Sequence, residues 1–429
     1  MNEIEEIVNL LNRSYSPFHV VSNIEAKLHE NDYIELQENE NFSLKKGGHY
    51  YVKRNGSSII AFRVPIDNPY GFQITASHTD SPTFKLKPNP VYTFKNLMLL
   101  NVEPYGGAIN YSWLDRPLSF AGRVMVQNGD TIHAENVCID EDLLLIPSVA
   151  IHMNREVNHS MTMNPAKDMI PVLGNAIENF SFDEFLKSKM NLSKDEQIIS
   201  SDLFLYNRGK AALLGINQEF LSSPRLDDLA SCYSSLFGFL KANQSNSISC
   251  FVAFDNEEVG SLTRQGANST FLREIVQKIS ESVQASTPLV PNSIMLSIDN
   301  AHANHPNHPE YSDVTTDVEL NKGIVIKYNA NQKYTTNAFS SAIVKTIAKK
   351  EGLKIQEYAN RSDLPGGSTL GNISNSEISL LSVDIGLPQL AMHSSYELMG
   401  KNDLLDMIRL VSRFYSSSFS INSDGFMMK

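Results

Sequence analysis

Residues 247–261 read Ser-Ile-Ser-Cys-Phe-Val-Ala-Phe-Asp-Asn-Glu-Glu-Val-Gly-Ser. The apolar run 250–254 has the character of a buried strand, and it stops abruptly at Asp255, Asn256, Glu257 and Glu258. Adjacent carboxylates at the mouth of a buried strand cost desolvation unless a cation compensates them. A metal ion together with a proton to transfer would employ both, one as ligand and one as base. The pair alone does not say which is which, and a solvated turn could carry the same residues. The reading therefore depends on where other donors fall. His78 ends the run 72–77, Asp299 ends the run 293–298, and His393 follows the apolar segment 387–392. Asp227 stands in Pro224-Arg225-Leu226-Asp227-Asp228-Leu229, at the start of a helical pattern. Singly, Asp299 could cap a turn and Asp227 could face a helix dipole. Together these imidazoles and carboxylates, with no thiolate among them, suit zinc, with manganese or cobalt as substitutes. Two such ions about 3.5–4 Å apart need a bridging carboxylate and can share a water whose pKa falls toward ~7. Asp80, close behind His78, could accept the second imidazole N–H and fix the tautomer.

The elements that must position these residues are alternating. Helices are predicted over 3–13 and from Ser16-Pro17 to about 29, where proline suits the first helical position. Strands 49–53 and 58–64 join at Asn55-Gly56, a hairpin signal. From Pro224 onward, helices over 229–243, 270–283, 337–351 and 403–414 alternate with strands over 248–254, 293–298, 323–328, 353–358 and 378–384. That pattern gives an α/β fold, an open mixed sheet flanked by helices, in which ligands collect beyond the carboxyl ends of strands. The segment 85–222 differs. It carries short β-like runs at 91–94, 97–102, 122–126, 143–146 and 198–205, and a helix only at 183–189. It reads as an inserted mostly-β domain between 1–84 and 223–429, which form the other unit.

The chain has 429 residues, with 41% hydrophobic and 20% charged content, typical of a globular protein. Its net charge of −12, without a basic block, argues against nucleic acid as partner. Cys138, Cys232 and Cys250 lack CxxC spacing, which fits a reducing, cytoplasmic setting and disfavours a thiolate zinc site. No signal-peptide pattern opens the chain, and no apolar run is long enough to predict a membrane span. Gly366-Gly367-Ser368-Thr369-Leu370-Gly371 fits neither the dinucleotide fingerprint nor the P-loop, and reads as a close backbone approach to substrate.

Taken with His78-Thr79-Asp80-Ser81-Pro82, Met392-His393-Ser394, Trp113-Leu114-Asp115-Arg116-Pro117 and Arg361-Ser362-Asp363-Leu364-Pro365, these motifs resemble the aspartyl aminopeptidase family. Its members are zinc exopeptidases that remove acidic N-terminal residues. The resemblance implies two zinc ions, one on His78 and Asp299, the other on Glu258 and His393, bridged by Asp227. It implies Glu257 as the general base, with Asp80 among the catalytic residues. It also implies Lys327 and Tyr334 as residues of the substrate side-chain pocket. The family usually has Asn where Asp228 stands, a departure that leaves the bridging ligand intact. The inserted domain is implied to form dimers that assemble into a dodecamer. His152 would then reach a neighbour's active site, although alone it would read as a core histidine. His302 and His305 fall in a family motif where they are not ligands, and with His308 they read as rim residues. The implied function is removal of N-terminal Asp or Glu from peptides with a free N-terminus. The alternatives are a two-zinc aminopeptidase preferring neutral first residues, or a scaffold that keeps the fold without turnover.

Overall fold

The computed structural model describes residues 2–429. Its largest element is a nine-stranded sheet. Four neighbouring central strands, Ile248–Phe254, Phe72–His78, Ile294–Ile298 and Leu381–Gly386, run parallel, so their carboxyl ends share one edge. The hairpin His49–Arg54 and Ser58–Arg63 extends the sheet on one side, Ser58–Arg63 lying antiparallel to Ile248–Phe254. Ile324–Tyr328 and Ile355–Ala359 extend it on the other, Ile324–Tyr328 lying antiparallel to Leu381–Gly386. The hairpin loop is Asn55-Gly56-Ser57, between the paired Arg54 and Ser58, and Asn55 and Gly56 both have the positive φ that such a turn requires.

Both faces of the sheet are covered, which is why its central strands are mostly apolar. Along Ile248–Phe254 the side chains alternate. Phe251 and Ala253 join a core built with the helices Glu3–Leu11, Pro17–His29, Leu226–Lys241, Ala338–Glu351 and Lys401–Ser416. Ile248, Cys250, Val252 and Phe254 join a second core under the helix Phe271–Val283. That helix buries Phe271, Leu272, Ile275, Val276 and Ile279, the spacing of one helical face.

A six-stranded antiparallel sheet draws all its strands from the interval Thr83 to Asn207 and has its own core around Phe84, Trp113, Phe120 and Leu203. The runs predicted at 91–94 and 198–205 are parts of the longer strands Thr83–Phe94 and Gln197–Asn207, each with a register shift. Leu144 and Leu145 make only isolated bridges in place of the strand predicted there. Ala212–Leu214 and Phe220–Ser223 leave this sheet and pair in another with Glu397–Gly400, Pro388–Leu390 and Ala301–His302. The strand predicted at 378–384 begins later, at Leu381, because Ile378 and Leu380 pack into the second core before the sheet is reached. Cys138, Cys232 and Cys250 are free. Among the described residues no helix is long and apolar enough to cross a membrane.

Candidate active site

The parallel edge collects the candidate donors: His78, Asp299 and the Glu257–Glu258 pair come at the ends of parallel strands, whereas Asp227 opens a helix and His393 follows Pro388–Leu390 of another sheet. His78 is the last residue of its strand and pairs in register with Phe254. Three residues beyond Phe254, Glu257 opens a single 3-10 turn, Glu257–Val259, flanked by Asn256 and Gly260 in left-handed conformation. Asp299 directly follows Ile298. Gly386 passes beneath it, and a Cβ there would lie 2.0 Å from the Asp299 carbonyl oxygen, so only glycine allows the approach. Asp227 lies in the first turn of Leu226–Lys241 with non-helical φ and ψ. His393 sits on a turn at φ +66.

Two groups of donors result, with Asp227 in both. Its Oδ1 lies 3.7 Å from His78 Nε2. Its Oδ2 lies 3.4 Å from His393 Nε2. His78 Nε2 is also 3.8 Å from Asp299 Oδ1, and His393 Nε2 is 3.5 Å from Glu258 Oε2. The donor atoms of His78, Asp227, Asp228 and Asp299 lie within 4.8 Å of one another, as do those of Asp227, Glu258 and His393. Asp227 Oδ1 is buried and has no hydrogen-bond partner. An orphaned carboxylate oxygen facing an imidazole nitrogen is what a cation would satisfy, so the residues fit a metal centre.

Both histidines are oriented for this, with Nε2 toward the other donors. His78 Nδ1 faces the Asp80 carbonyl oxygen at 3.1 Å and Asp80 Oδ1 at 3.3 Å. His393 Nδ1 faces the Gly107 carbonyl oxygen at 3.1 Å. Each neighbour is an acceptor, so Nδ1 keeps its proton and Nε2 is the nitrogen that would bind a metal on giving up its own. The carboxylate-rich surroundings raise the pKa of both rings in the metal-free protein, His393 to about 10, against the opposite effect of burial.

Asp80 does more than face His78. Its Oδ1 accepts from the Glu257 N–H and its Oδ2 from the Glu258 N–H, both at 3.1 Å. Burial pushes the Glu257 carboxyl up to about 8, with Asp299, Asp80 and Asp227 adding to it and His78 opposing. Added divalent charge draws such a value back down. Asp228 is fully buried and accepts from the His78 N–H through Oδ2 at 3.2 Å. Burial raises its pKa well above the ordinary value.

The cluster lines a cavity of about 420 Å³ together with His302, Lys327, Tyr334, Tyr358, Gly367, Ser368 and Thr369. Lys327 is buried, and its Nζ donates to the carbonyls of Asp299 at 2.9 Å and Asn300 at 3.1 Å. The ammonium lies 3.6 Å from Asp299 Oδ2 and 5.1 Å from the centre of the Tyr334 ring. His302 stands in the cavity wall beside Tyr358, whereas His305 and His308 lie on an exposed loop outside the donor groups. His152 is exposed and stands apart from this cavity, so a core histidine is the wrong reading of it. The loop that leads to it is held by Asp115, whose Oδ1 accepts from the Ser148 N–H at 2.8 Å.

Sequence reasoning missed Glu397, Tyr105 and Gly107. Glu397 is buried and accepts from the Asp227 N–H at 3.0 Å and the His393 N–H at 2.8 Å, fixing both backbones at once. A carboxylate a few residues beyond His393 was its only sequence signal. Tyr105-Gly106-Gly107 offered a weaker one, an aromatic residue before paired glycines.

An open α/β sheet with imidazole and carboxylate donors gathered at its parallel edge defines a metal-dependent hydrolase of the zinc-peptidase type. Residues 10–415 match the family model described as aminopeptidase I zinc metalloprotease (M18), and the chain belongs to that family. It is thus a zinc metallo-aminopeptidase. It is similar to "Probable M18 family aminopeptidase 2" of Clostridium acetobutylicum, with 41% identity over 430 residues, 97% of this chain and 99% of the relative. Its fold is similar to a chain in the cryo-EM structure of the Ape4 and Nbr1 complex, with TM-score 0.92 and 34% identity, covering 96% of this chain and 85% of that one. It is also similar to the S. cerevisiae mApe1 dodecamer, with TM-score 0.83 and 27% identity, covering 96% of each chain.

Proposed function

We propose that this protein removes N-terminal Asp or Glu from peptides with a two-zinc site in which Asp227 bridges the ions. The observation that carries this reading is that the two oxygens of Asp227 face different imidazole nitrogens, at 3.7 Å and 3.4 Å. His78 and Asp299 would hold one ion and Glu258 and His393 the other, with manganese or cobalt as substitutes. Zinc held there supplies Lewis acidity, which polarises a carbonyl and acidifies a water.

The chain's own groups do the rest. Asp227, Glu257, Glu258 and Asp299 face one cavity, and the free α-amine of a peptide would sit there among the metals and the carboxylates. That gives an exopeptidase. Glu257 takes a proton from the attacking water as its oxygen bonds to the scissile carbonyl carbon. The same carboxyl then returns the proton to the nitrogen as the C–N bond breaks. Asp80 keeps Glu257 and Glu258 at their stations through the two backbone N–H groups.

The β-rich segment 85–222 acts in this reading as a dimerisation module and as a lid over the site. Exposed apolar residues on one of its loops, Val149, Ile151 and Met153, support a covered surface in a homo-oligomer. The similarity to a dodecameric protein supports dimers assembling further. His152 on the same loop, brought by a second copy, would donate to the carbonyl oxygen as it gains charge.

Lys327 and Tyr334 would receive the acidic side chain. Lys327 already donates to two carbonyls, which favours a second reading with neutral first residues. Peptides differing only in the first residue separate the two. With the acidic reading, kcat/KM for Glu-first and Asp-first peptides exceeds that for Leu-first peptides, and Lys327→Ala lowers that ratio by about 10-fold or more, the loss of a charge-assisted contact. Lys327→Ala also lowers activity on every peptide, because Asp299 loses its cationic neighbour. An unchanged ratio rejects the acidic pocket.

A further inference from the structure

The chain that leaves the strand Leu97–Tyr105 crosses from the six-stranded sheet to the parallel edge of the larger one. It touches the candidate site three times within a few residues. Tyr105 Oη donates to Asp80 Oδ2 at 2.8 Å and accepts from Asn256 Nδ2 at 2.8 Å. Asp80 holds the Glu257 and Glu258 amides, and Asn256 opens the same turn at φ +61. One phenol therefore grips the glutamate turn from both sides. Gly106, at φ +73, lies so close that a Cβ would stand 3.0 Å from Glu258 Cβ. The Gly107 carbonyl takes the His393 Nδ1 proton at 3.1 Å. The connection is then fastened to the His393 segment. Ile109 N donates to the His393 carbonyl at 2.9 Å, and Ser395 N donates to Ser112 Oγ at 2.8 Å.

We propose that Tyr105 is a positioning residue for the aminopeptidase reaction, acting through Asp80 and Asn256 on the Glu257–Glu258 turn. The inference rests on the reading of Glu257 as base and Glu258 as ligand. It gives the β-rich segment a part in the chemistry of its own chain, beyond any part in dimerisation. Tyr105 itself lies behind Asp80 and does not line the catalytic cavity. Its effect is on where the glutamates stand. The hydroxyl and the ring are separable, because the ring packs edge-on against Phe204 with centroids 5.3 Å apart. Tyr105→Phe keeps that packing and deletes only the two hydrogen bonds.

The test compares parent and Tyr105→Phe as full-length, zinc-loaded protein on peptides with a cleavable first residue. The expected result is a fall in kcat of about 10-fold, the lower end for residues that orient metal ligands, with KM within about twofold. The visible absorption bands of the cobalt-loaded variant shift relative to the parent, because the Glu258 carboxylate is no longer held in place. A kcat and a cobalt spectrum both equal to the parent's overturn the proposal, whatever the melting temperature does. Glu257→Gln is measured beside it. If Glu257→Gln retains full activity, the underlying assignment of the base has failed. If Glu257→Gln is inactive while Tyr105→Phe matches the parent, only the positioning role has failed.

Discussion

The two halves of the site are built in different ways. His78 and Asp299 end parallel strands, and the His78 side chain is only 1% exposed. Lys327 lies beneath Asp299, and Asp80 holds the His78 ring. Glu258 and His393 stand on turns, and the His393 side chain is 33% exposed. The Glu258 N–H is held by Asp80, which Tyr105 of the β-rich segment holds in turn, and His393 is held by Gly107 of that segment and Glu397 of a third sheet. One half is fixed by strand register. The other depends on contacts between distant parts of the chain. The first should hold its geometry without metal, and the second should respond to whatever moves its supports.

The largest effect expected is that of Glu257→Gln, which leaves the supports of both halves in place. Turnover should fall by about 10²–10⁴-fold, the range for loss of a general base, with the metal content of the parent. Loss of metal in this variant would show that Glu257 is a ligand and would blur the division between the halves.

His78→Ala and His393→Ala should both abolish activity yet differ in stability. Removing His78 leaves the buried Asp227 and Asp299 carboxylates without their facing imidazole. Breaking a buried charge pair costs about 3–5 kcal/mol. His393 also faces buried carboxylates, those of Asp227 and Glu258, but its own ring is 33% exposed and solvent can enter the space it leaves, so removing it should cost less than removing His78. Denaturant midpoints of the metal-free proteins check this. Equal losses would mean that the two halves are equally preorganised.

The same contrast accounts for what could be read in the sequence. His78, Asp299 and the glutamate pair were legible because each follows an apolar run, and parallel strands deliver their ends to one edge. Asp227 was legible as a donor at a helix start. Which glutamate serves as ligand was not, since that depends on the turn between Asn256 and Gly260. Tyr105, Gly107 and Glu397 were hidden for a related reason. They act through backbone groups far away in the chain, and no local periodicity records such contacts. The strand read at 378–384 but found at Leu381–Gly386 shows the same limit, because an apolar run fixes burial and leaves register open.

The central claim is that Asp227 joins two metal ions, one in each half. Diffraction from zinc-loaded crystals, collected on both sides of the zinc absorption edge, tests it most directly. The expected result is two anomalous peaks about 3.5–4 Å apart flanking the Asp227 carboxylate, one beside His78 and Asp299 and the other beside Glu258 and His393. A single peak, or a second peak away from Asp227, would contradict it.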